Sequence, residues 1–270
     1  MTYAAFSKTV DSSGIVMPGS SNTRMKKIIA LGATSGIAIE VQRQLAHQAC
    51  ELLLVARSPE RLAALQTDLL VRGARQVLTY SADLSLIAQH AGILDFASRT
   101  FPDFDTVFLA YGSMRNQKDG ESSVEILVEE LLVDFVSAAA ILTLFAAELE
   151  RRRTGCIAAI TSVAGDRGRR SNYLYGSAKG GLSLFLQGLR SRLYPSGVRV
   201  ITIKPGPVQT PMTDGLPNAT HFVDPQQVAH DIVRGLERGS PDILYTPRIW
   251  RYIMTAVKLV PETIFKRLPL

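Results

Sequence analysis

The 270-residue chain is poor in cysteine, has one tryptophan and shows no cluster of metal-ligand spacing. Its two cysteines, Cys50 and Cys156, stand far apart in apolar surroundings. They form neither a disulfide framework nor a metal motif, and read as reduced, buried thiols of a cytoplasmic protein. No apolar run reaches the length of a membrane span, and the N-terminus lacks a signal-peptide core. Arginines interleaved with aromatics are also missing, so a nucleic-acid partner is not expected. The net charge of +6 is basic but diffuse, suited to weak attraction toward phosphates, nucleotides or an anionic membrane surface. With 46% hydrophobic and 20% charged residues, the composition is that of a soluble globular protein with a substantial core. The length fits one large α/β domain better than two small ones.

Residues 1–24 are rich in Ser, Thr and Gly without periodicity and read as a disordered extension. Met25, directly before the first strand, is an alternative translation start. The body is expected over residues 25–246, and residues 247–270 form a basic, apolar helical tail.

The body alternates strand and helix. Lys27–Leu31 reads as a buried parallel strand, followed by Gly32-Ala33-Thr34-Ser35-Gly36-Ile37-Ala38 and an amphipathic helix through Gln48. Glycines at such a turn let the backbone approach a pyrophosphate at the helix N-terminus; the plainer reading is a tight connection. Its place at the head of a long α/β alternation favours the cofactor, with Gly32, Thr34, Ser35, Gly36 and Ile37 as contacts. The second strand runs from Leu52 to Arg57. A carboxylate at its end would accept the adenosine ribose hydroxyl, but Ala56 and Arg57 stand there. A guanidinium suits a 2′-phosphate, so NADPH is favoured and NADH is the alternative. Arg57 equally suits capping the strand or stacking on adenine.

Ser58 as N-cap and Pro59 open a second helix to Val71. A third strand, Gln76–Tyr80, leads into Asp83-Leu84, where Asp83 accepts from an adenine amino group or caps the next helix, Ile87–Thr100. A fourth strand, Asp105–Ala110, runs into Tyr111-Gly112. A long apolar helix is expected over Ser123–Arg153, a fifth strand over Cys156–Thr161, a helix over Tyr173–Tyr194 and a sixth strand over Val198–Ile203. Pro205-Gly206-Pro207-Val208-Gln209-Thr210 follow, then a helix from Asp224 to Glu237 and a short strand Ile243–Tyr245. The alternation argues for a doubly wound parallel sheet with right-handed crossovers.

Tyr175 and Lys179 are four apart and share a helix face. A phenol ionises near pH ~10, and a neighbouring ammonium lowers that value toward neutrality. Ser162, at the end of the fifth strand, is placed to hydrogen-bond a substrate oxygen. The trio suggests proton delivery to a carbonyl. Tyr173 has Ser177, not a lysine, four residues on, and is given a wall or substrate-contact role.

With these pieces the chain resembles the classical short-chain dehydrogenase/reductase family over Lys26 to Tyr245. The resemblance rests on the turn Gly32 to Ala38, Asp83, Gly112, Ser162, Tyr175 with Lys179, and Pro205-Gly206. It implies a Rossmann-type doubly wound, seven-stranded parallel sheet with helices on both faces. It also implies hydride transfer to a carbonyl carbon, with Tyr175 protonating the oxygen, Ser162 polarising it, and Lys179 lowering the tyrosine pKa and binding the nicotinamide ribose. Leu84, Ala110 and Gly112 would border the cofactor, Pro205, Gly206 and Val208 would line the nicotinamide pocket, and Thr210 would reach its carboxamide or the pyrophosphate. A homodimer or homotetramer through the long helices is implied as well.

Three departures stand out. Ala38 takes the third position of the glycine turn. Leu109-Ala110-Tyr111-Gly112 replaces an Asn-Asn-Ala-Gly segment and places a phenol near the expected site. Asp134 maps onto the family's catalytic asparagine, as a fourth catalytic member or as a structural partner of Lys179 or a backbone amide.

A narrower similarity is to the decaprenylphosphoryl-D-erythro-pentofuranosid-2-ulose reductases, in Ala110-Tyr111-Gly112, in Ala164 to Tyr173 running into Tyr175-Gly176-Ser177, and in the tail from Arg251 to Pro269. It implies reduction of a lipid-linked 2-keto-pentose in cell-envelope arabinose-donor synthesis. Arg167, Arg169 and Arg170 would clamp the lipid phosphate or form a solvated loop. The tail, with Arg248, Arg251, Lys258, Lys266 and Arg267 against Glu262, would lie on a membrane surface or grip a lipid chain, or pack on the domain or a neighbouring subunit. Alternatives are a general carbonyl or 3-oxoacyl reductase on a soluble ketone, and a catalytically weak cofactor-sensing protein, motivated by Asp134.

Overall fold

A computed structural model describes residues 26–214, 222–236 and 241–268. The expected extension, the Met25 start, Glu237 and the last two residues lie outside them. Seven strands form one all-parallel sheet: β1 (Lys27–Leu31), β2 (Glu51–Ala56), β3 (Gln76–Ser81), β4 (Thr106–Leu109), β5 (Cys156–Ile160), β6 (Arg199–Pro205) and β7 (Ile243–Thr246), in the order β3-β2-β1-β4-β5-β6-β7. The doubly wound architecture is as expected. The reversal of strand order at β1 and β4 opens a crevice at the carboxyl edge, where cofactors bind in such sheets.

The central strands are buried on both faces, so they read as unbroken apolar runs rather than alternating ones. One core layer lies under α1 (Gly36–Ala46), α2 (Pro59–Val71) and α8 (Pro225–Gly235). The other lies under α3 (His90–Thr100), α6 (Ala138–Arg152) and α7 (Tyr173–Leu193). Caps fix several helix starts: the hydroxyls of Ser35 and Ser58 accept from the Ala38 and Arg61 amides, and Asp224 accepts from Gln226. α1 ends at Ala46, two residues short of expectation, because Ala49 turns left-handed (φ 53°) to reach β2. Cys50 and Cys156 are free and buried, and burial pushes both thiols up to about 12.

The expected helix over 123–153 is interrupted. A short α4 (Gln117–Gly120) precedes α5 (Val124–Leu131), which passes into a π turn, Leu132–Ser137, and only then into α6. The whole segment Val124–Arg152 is 29 residues, long and apolar enough to cross a membrane, contrary to the sequence reading. Ile141, Phe145 and Leu149 of α6 are, however, fully buried in the second core layer. The π turn inserts a residue into the helical register, a device frequent at functional sites, and it carries Asp134.

The tail forms α9 (Ile249–Leu259) and α10 (Glu262–Phe265). Met254 and Phe265 point inward, and α9 leans on β7 and on the loop after Ser162. Arg167 locks it there. Its guanidinium donates to the carbonyls of Val257 and Val260, pairs with Glu262 at 3.0 Å and stacks 3.7 Å from the Phe265 ring centroid.

Candidate active site

The residues singled out from sequence gather at the carboxyl edge of β1, β4, β5 and β6. Gly32 follows β1 with φ +84°, the left-handed region that favours glycine. Any side chain there would also meet Tyr111, 2.6 Å from its Cβ. Gly36 opens α1, and a Cβ on it would stand 3.0 Å from Thr210 Cγ2. The loop after β6 therefore comes down on the glycine turn, and the two enclose a backbone-lined cradle at a helix N-terminus. Thr34, Ser35, Gly36, Ile37 and Thr210 all border it. A dinucleotide pyrophosphate suits this cradle in shape and charge, since the first amides of α1 are unpaired within the helix.

The adenosine end contains one residue that sequence reasoning missed. Arg61, one turn into α2, donates to the Thr34 carbonyl at 2.8 Å. With exposed Arg57 it puts two guanidiniums on α1's glycine turn and the end of β2. Its signal was its place one turn after an N-cap beside the expected phosphate. Asp83 accepts from the amide and hydroxyl of Ser85 at 2.9 and 2.7 Å, closing a local turn, and it does not cap the next helix. Burial opposes its ionisation, but those bonds and the Arg57 charge hold its carboxyl below the usual range. Leu84 and Ala110 are buried.

The catalytic candidates come together. Ser162 stands two residues past β5, and its hydroxyl accepts from the Ala164 amide at 3.0 Å and acts to lower the Tyr175 pKa. Tyr175 and Lys179 share a face of α7, with Nζ 5.6 Å from the phenol ring centroid. Lys179 Nζ is 2.6 Å from Asp134 Oδ1, and their side chains are 3% and 0% exposed. Asp134 Oδ2 accepts from the amide and hydroxyl of Ser113, each at 2.9 Å. Both structural partners expected for Asp134 are thus present. Gly112 admits this arrangement, because a Cβ there would collide with Asp134 Oδ1 and stand 2.9 Å from Lys179 Nζ.

The electrostatics correct one expectation. Lys179 does act to lower the Tyr175 pKa, yet the net shift is upward. Burial disfavours the phenolate most strongly, and the Asp134 charge works against Lys179. For Lys179 burial is the largest influence and lowers its pKa, but Asp134, Tyr175 and Glu130 together outweigh it, so the ammonium is held.

The Tyr111 phenol, beside Gly32 as expected, is half-buried and turned to Ser137 Oγ at 2.7 Å, which in turn donates to the Leu84 carbonyl. One further expectation changes: Arg167 is spent on the tail. Of the other two loop arginines, Arg170 is exposed, and Arg169 is half-buried with its guanidinium pKa lowered by burial. Tyr173 is exposed.

Two residues near the site were not foreseen. Trp250 of α9 lies against Gly206, where any Cβ would overlap the indole ring. Gly206 thus faces the tail's first turn, while Pro205 pairs with Thr246 in the sheet and Val208 is buried and bridged to Val223. Glu130 is 1% exposed beside Asp134. An acid amid the apolar residues of α5, four before Asp134, was the signal for it.

The described residues hold no group of acids, histidines and cysteines able to bind a metal. The short chain dehydrogenase family model matches residues 26–220. An uncharacterized oxidoreductase of Mycobacterium tuberculosis is 32% identical over 92% of this chain and 99% of its own. Another, of Streptomyces coelicolor, is 34% identical over 93% and 99%. Among solved structures, a Burkholderia cenocepacia short chain dehydrogenase in complex with NADP superposes with a TM-score of 0.77 at 20% identity, over 91% of this chain and 98% of that one. A strand order reversing at β1 and β4, a glycine turn at the crevice and a family match across most of the chain lead to one conclusion: this protein belongs to the short-chain dehydrogenase/reductase family and is an NAD(P)-dependent oxidoreductase.

Proposed function

We propose that the protein is an NADPH-dependent reductase of a ketone carried on a polyprenyl phosphate, the 2-keto-pentose of the narrower resemblance. The observation that carries this reading is the joining of a basic, apolar tail to the loop between Ser162 and Tyr175 through Arg167. On α9 and α10, Tyr252, Leu259 and Ile264 are 71%, 77% and 54% exposed, and Arg251, Lys258 and Lys266 are exposed around them. Such a face suits an anionic bilayer or a lipid chain. It lies beside the cleft, so a substrate anchored in a membrane would reach Tyr175 without leaving the lipid. Arg169 and Arg170, rather than Arg167, are left for the lipid phosphate. The reaction is placed on the cytoplasmic side, where buried reduced thiols persist.

Bound NADPH supplies the hydride that reduces the carbonyl carbon. The chain's own residues supply the rest. The phenol proton of Tyr175 goes to the substrate oxygen, Ser162 Oγ–H holds that oxygen, and Lys179 stabilises the phenolate left behind. A raised phenol pKa keeps Tyr175 protonated, which is the form reduction needs. Arg57 and Arg61 receive the 2′-phosphate, and the glycine turn receives the pyrophosphate.

A soluble ketone is the second reading, and the solvent exposure of Arg170 in the same loop favours it. Reduction of a synthetic polyprenyl-phospho-keto-pentose in anionic vesicles, against soluble ketones, separates the two. Turnover of soluble ketones alone would refute the lipid-linked assignment. In the same assay Arg57→Ala is expected to weaken NADPH binding about tenfold and leave NADH binding unchanged. Bound cofactor without turnover of any ketone would favour a sensing protein.

A further inference from the structure

Asp134 is not alone under the catalytic lysine. Ser113 Oγ lies 2.9 Å from Asp134 Oδ2 and 3.2 Å from Glu130 Oε2, so one hydroxyl bridges two buried carboxyl groups. Glu130 Oε2 also accepts from the Arg115 amide at 3.2 Å. Among the described residues Glu130 Oε1 is buried and has no hydrogen-bond partner. A carboxylate left this way is costly, whereas a carboxylic acid can donate its own hydrogen to Ser113. The Ser113 hydroxyl hydrogen then points at Asp134, which faces Lys179 with its other oxygen. The groups facing Glu130 are Asp134 on the π turn, Lys179 on α7 and the Ser113–Arg115 loop; the Arg115 guanidinium itself is turned away to Glu129 at 3.0 Å.

We propose that Glu130 is a protonated acid that, through the Ser113 hydroxyl and Asp134, restores the proton Lys179 hands to Tyr175 after each reduction. The inference rests on the assignment of Tyr175 as the proton donor. Each transfer balances. Once Tyr175 has given its proton to the substrate oxygen, the Lys179 ammonium protonates the phenolate and becomes an amine. The Glu130 O–H bond breaks as a new Ser113 O–H bond forms, and the former Ser113 hydrogen passes to Asp134 Oδ2. Rotation of the Asp134 carboxyl presents that hydrogen to the amine, which becomes an ammonium again. Glu130, now a carboxylate, recovers a proton from water at the half-exposed Ser113–Arg115 loop. Glu130 touches neither substrate nor cofactor; it is a positioning residue acting through Lys179. Burial and the Asp134 charge both favour its acid form.

The test is Glu130→Gln, which keeps the shape and cannot give up a proton. In the protein without cofactor, infrared spectra at neutral pH are expected to show a carboxylic acid C=O band that the variant lacks. With NADPH and the ketone that the native protein reduces, the first turnover of the variant is expected at the native rate, since Tyr175 and Lys179 still hold their protons. Steady-state kcat is expected to fall about tenfold with kcat/KM unchanged, with a larger solvent isotope effect. Ser113→Ala, which leaves both carboxyls in place, should give the same burst and slow steady state, and it serves if Glu130→Gln does not fold. Absence of the infrared band, or a first turnover slowed as much as the steady state, would overturn the relay. An infrared band without turnover of any ketone, lipid-linked or soluble, by the native protein would instead refute the assignment of Tyr175.

Discussion

The Lys179 ammonium is 2.6 Å from the Asp134 carboxylate in a pocket closed to solvent. A charge pair buried this deeply depends on both members, because either one alone is desolvated without compensation. Asp134→Ala is expected to cost about 3–5 kcal/mol in urea unfolding. Asp134→Asn removes the charge that opposes Lys179 at Tyr175 but keeps the shape. The phenol pKa should then fall, and the alkaline limb of the reduction profile should move down by about one pH unit. An unmoved limb would show that Asp134 does not act on the phenol.

Glu130 should leave its mark on stability. Its pKa is raised above the ordinary 4.5, first by burial and then by the Asp134 charge. A raised carboxyl binds its proton more tightly in the folded state. The stabilisation is therefore full below pH 4.5 and is lost as pH rises through the folded value. Glu130→Gln cannot lose it, so the melting temperature of the variant relative to the native protein should climb as pH rises above 4.5. A constant difference would mean that Glu130 does not titrate in that range.

Trp250, the single tryptophan, reports on the tail. Its ring occupies the space where a side chain on Gly206 would stand. Gly206→Ala should push the indole toward water, shift its emission to the red and destabilise the protein by about 1–3 kcal/mol. Because Gly206 borders the expected nicotinamide site, titration with NADPH should also change native Trp250 emission. Emission that ignores both would place the indole elsewhere.

Arg167 is the clasp between the catalytic loop and the tail. Removing its bonds to the Val257 and Val260 carbonyls and its stack on Phe265 should cost about 2 kcal/mol locally. In Arg167→Ala, amides of α9 should exchange with solvent faster while those of β4 and β5 stay protected. Equal protection of α9 would show that other contacts hold the tail.

The positions of the strands, the glycine turn and the Ser162, Tyr175 and Lys179 set were legible because they are local. Apolar runs, caps at Ser35, Ser58 and Asp224, and a four-residue helical spacing are properties of neighbours in the chain. What neighbours cannot specify is which way a side chain faces once helices pack. The Tyr111 phenol turns into the core because Ser137 and the Leu84 carbonyl wait there, from segments far along the chain. The π turn at 132–137 has no separate hydrophobic period to betray it, yet it carries Asp134 under Lys179. Composition marked the tail as basic and apolar, while its docking depended on Arg167 meeting carbonyls some ninety residues away. The order of charges along the chain determined what chemistry was available. Folding determined which charges are buried together, and burial magnifies their influence because water no longer screens them.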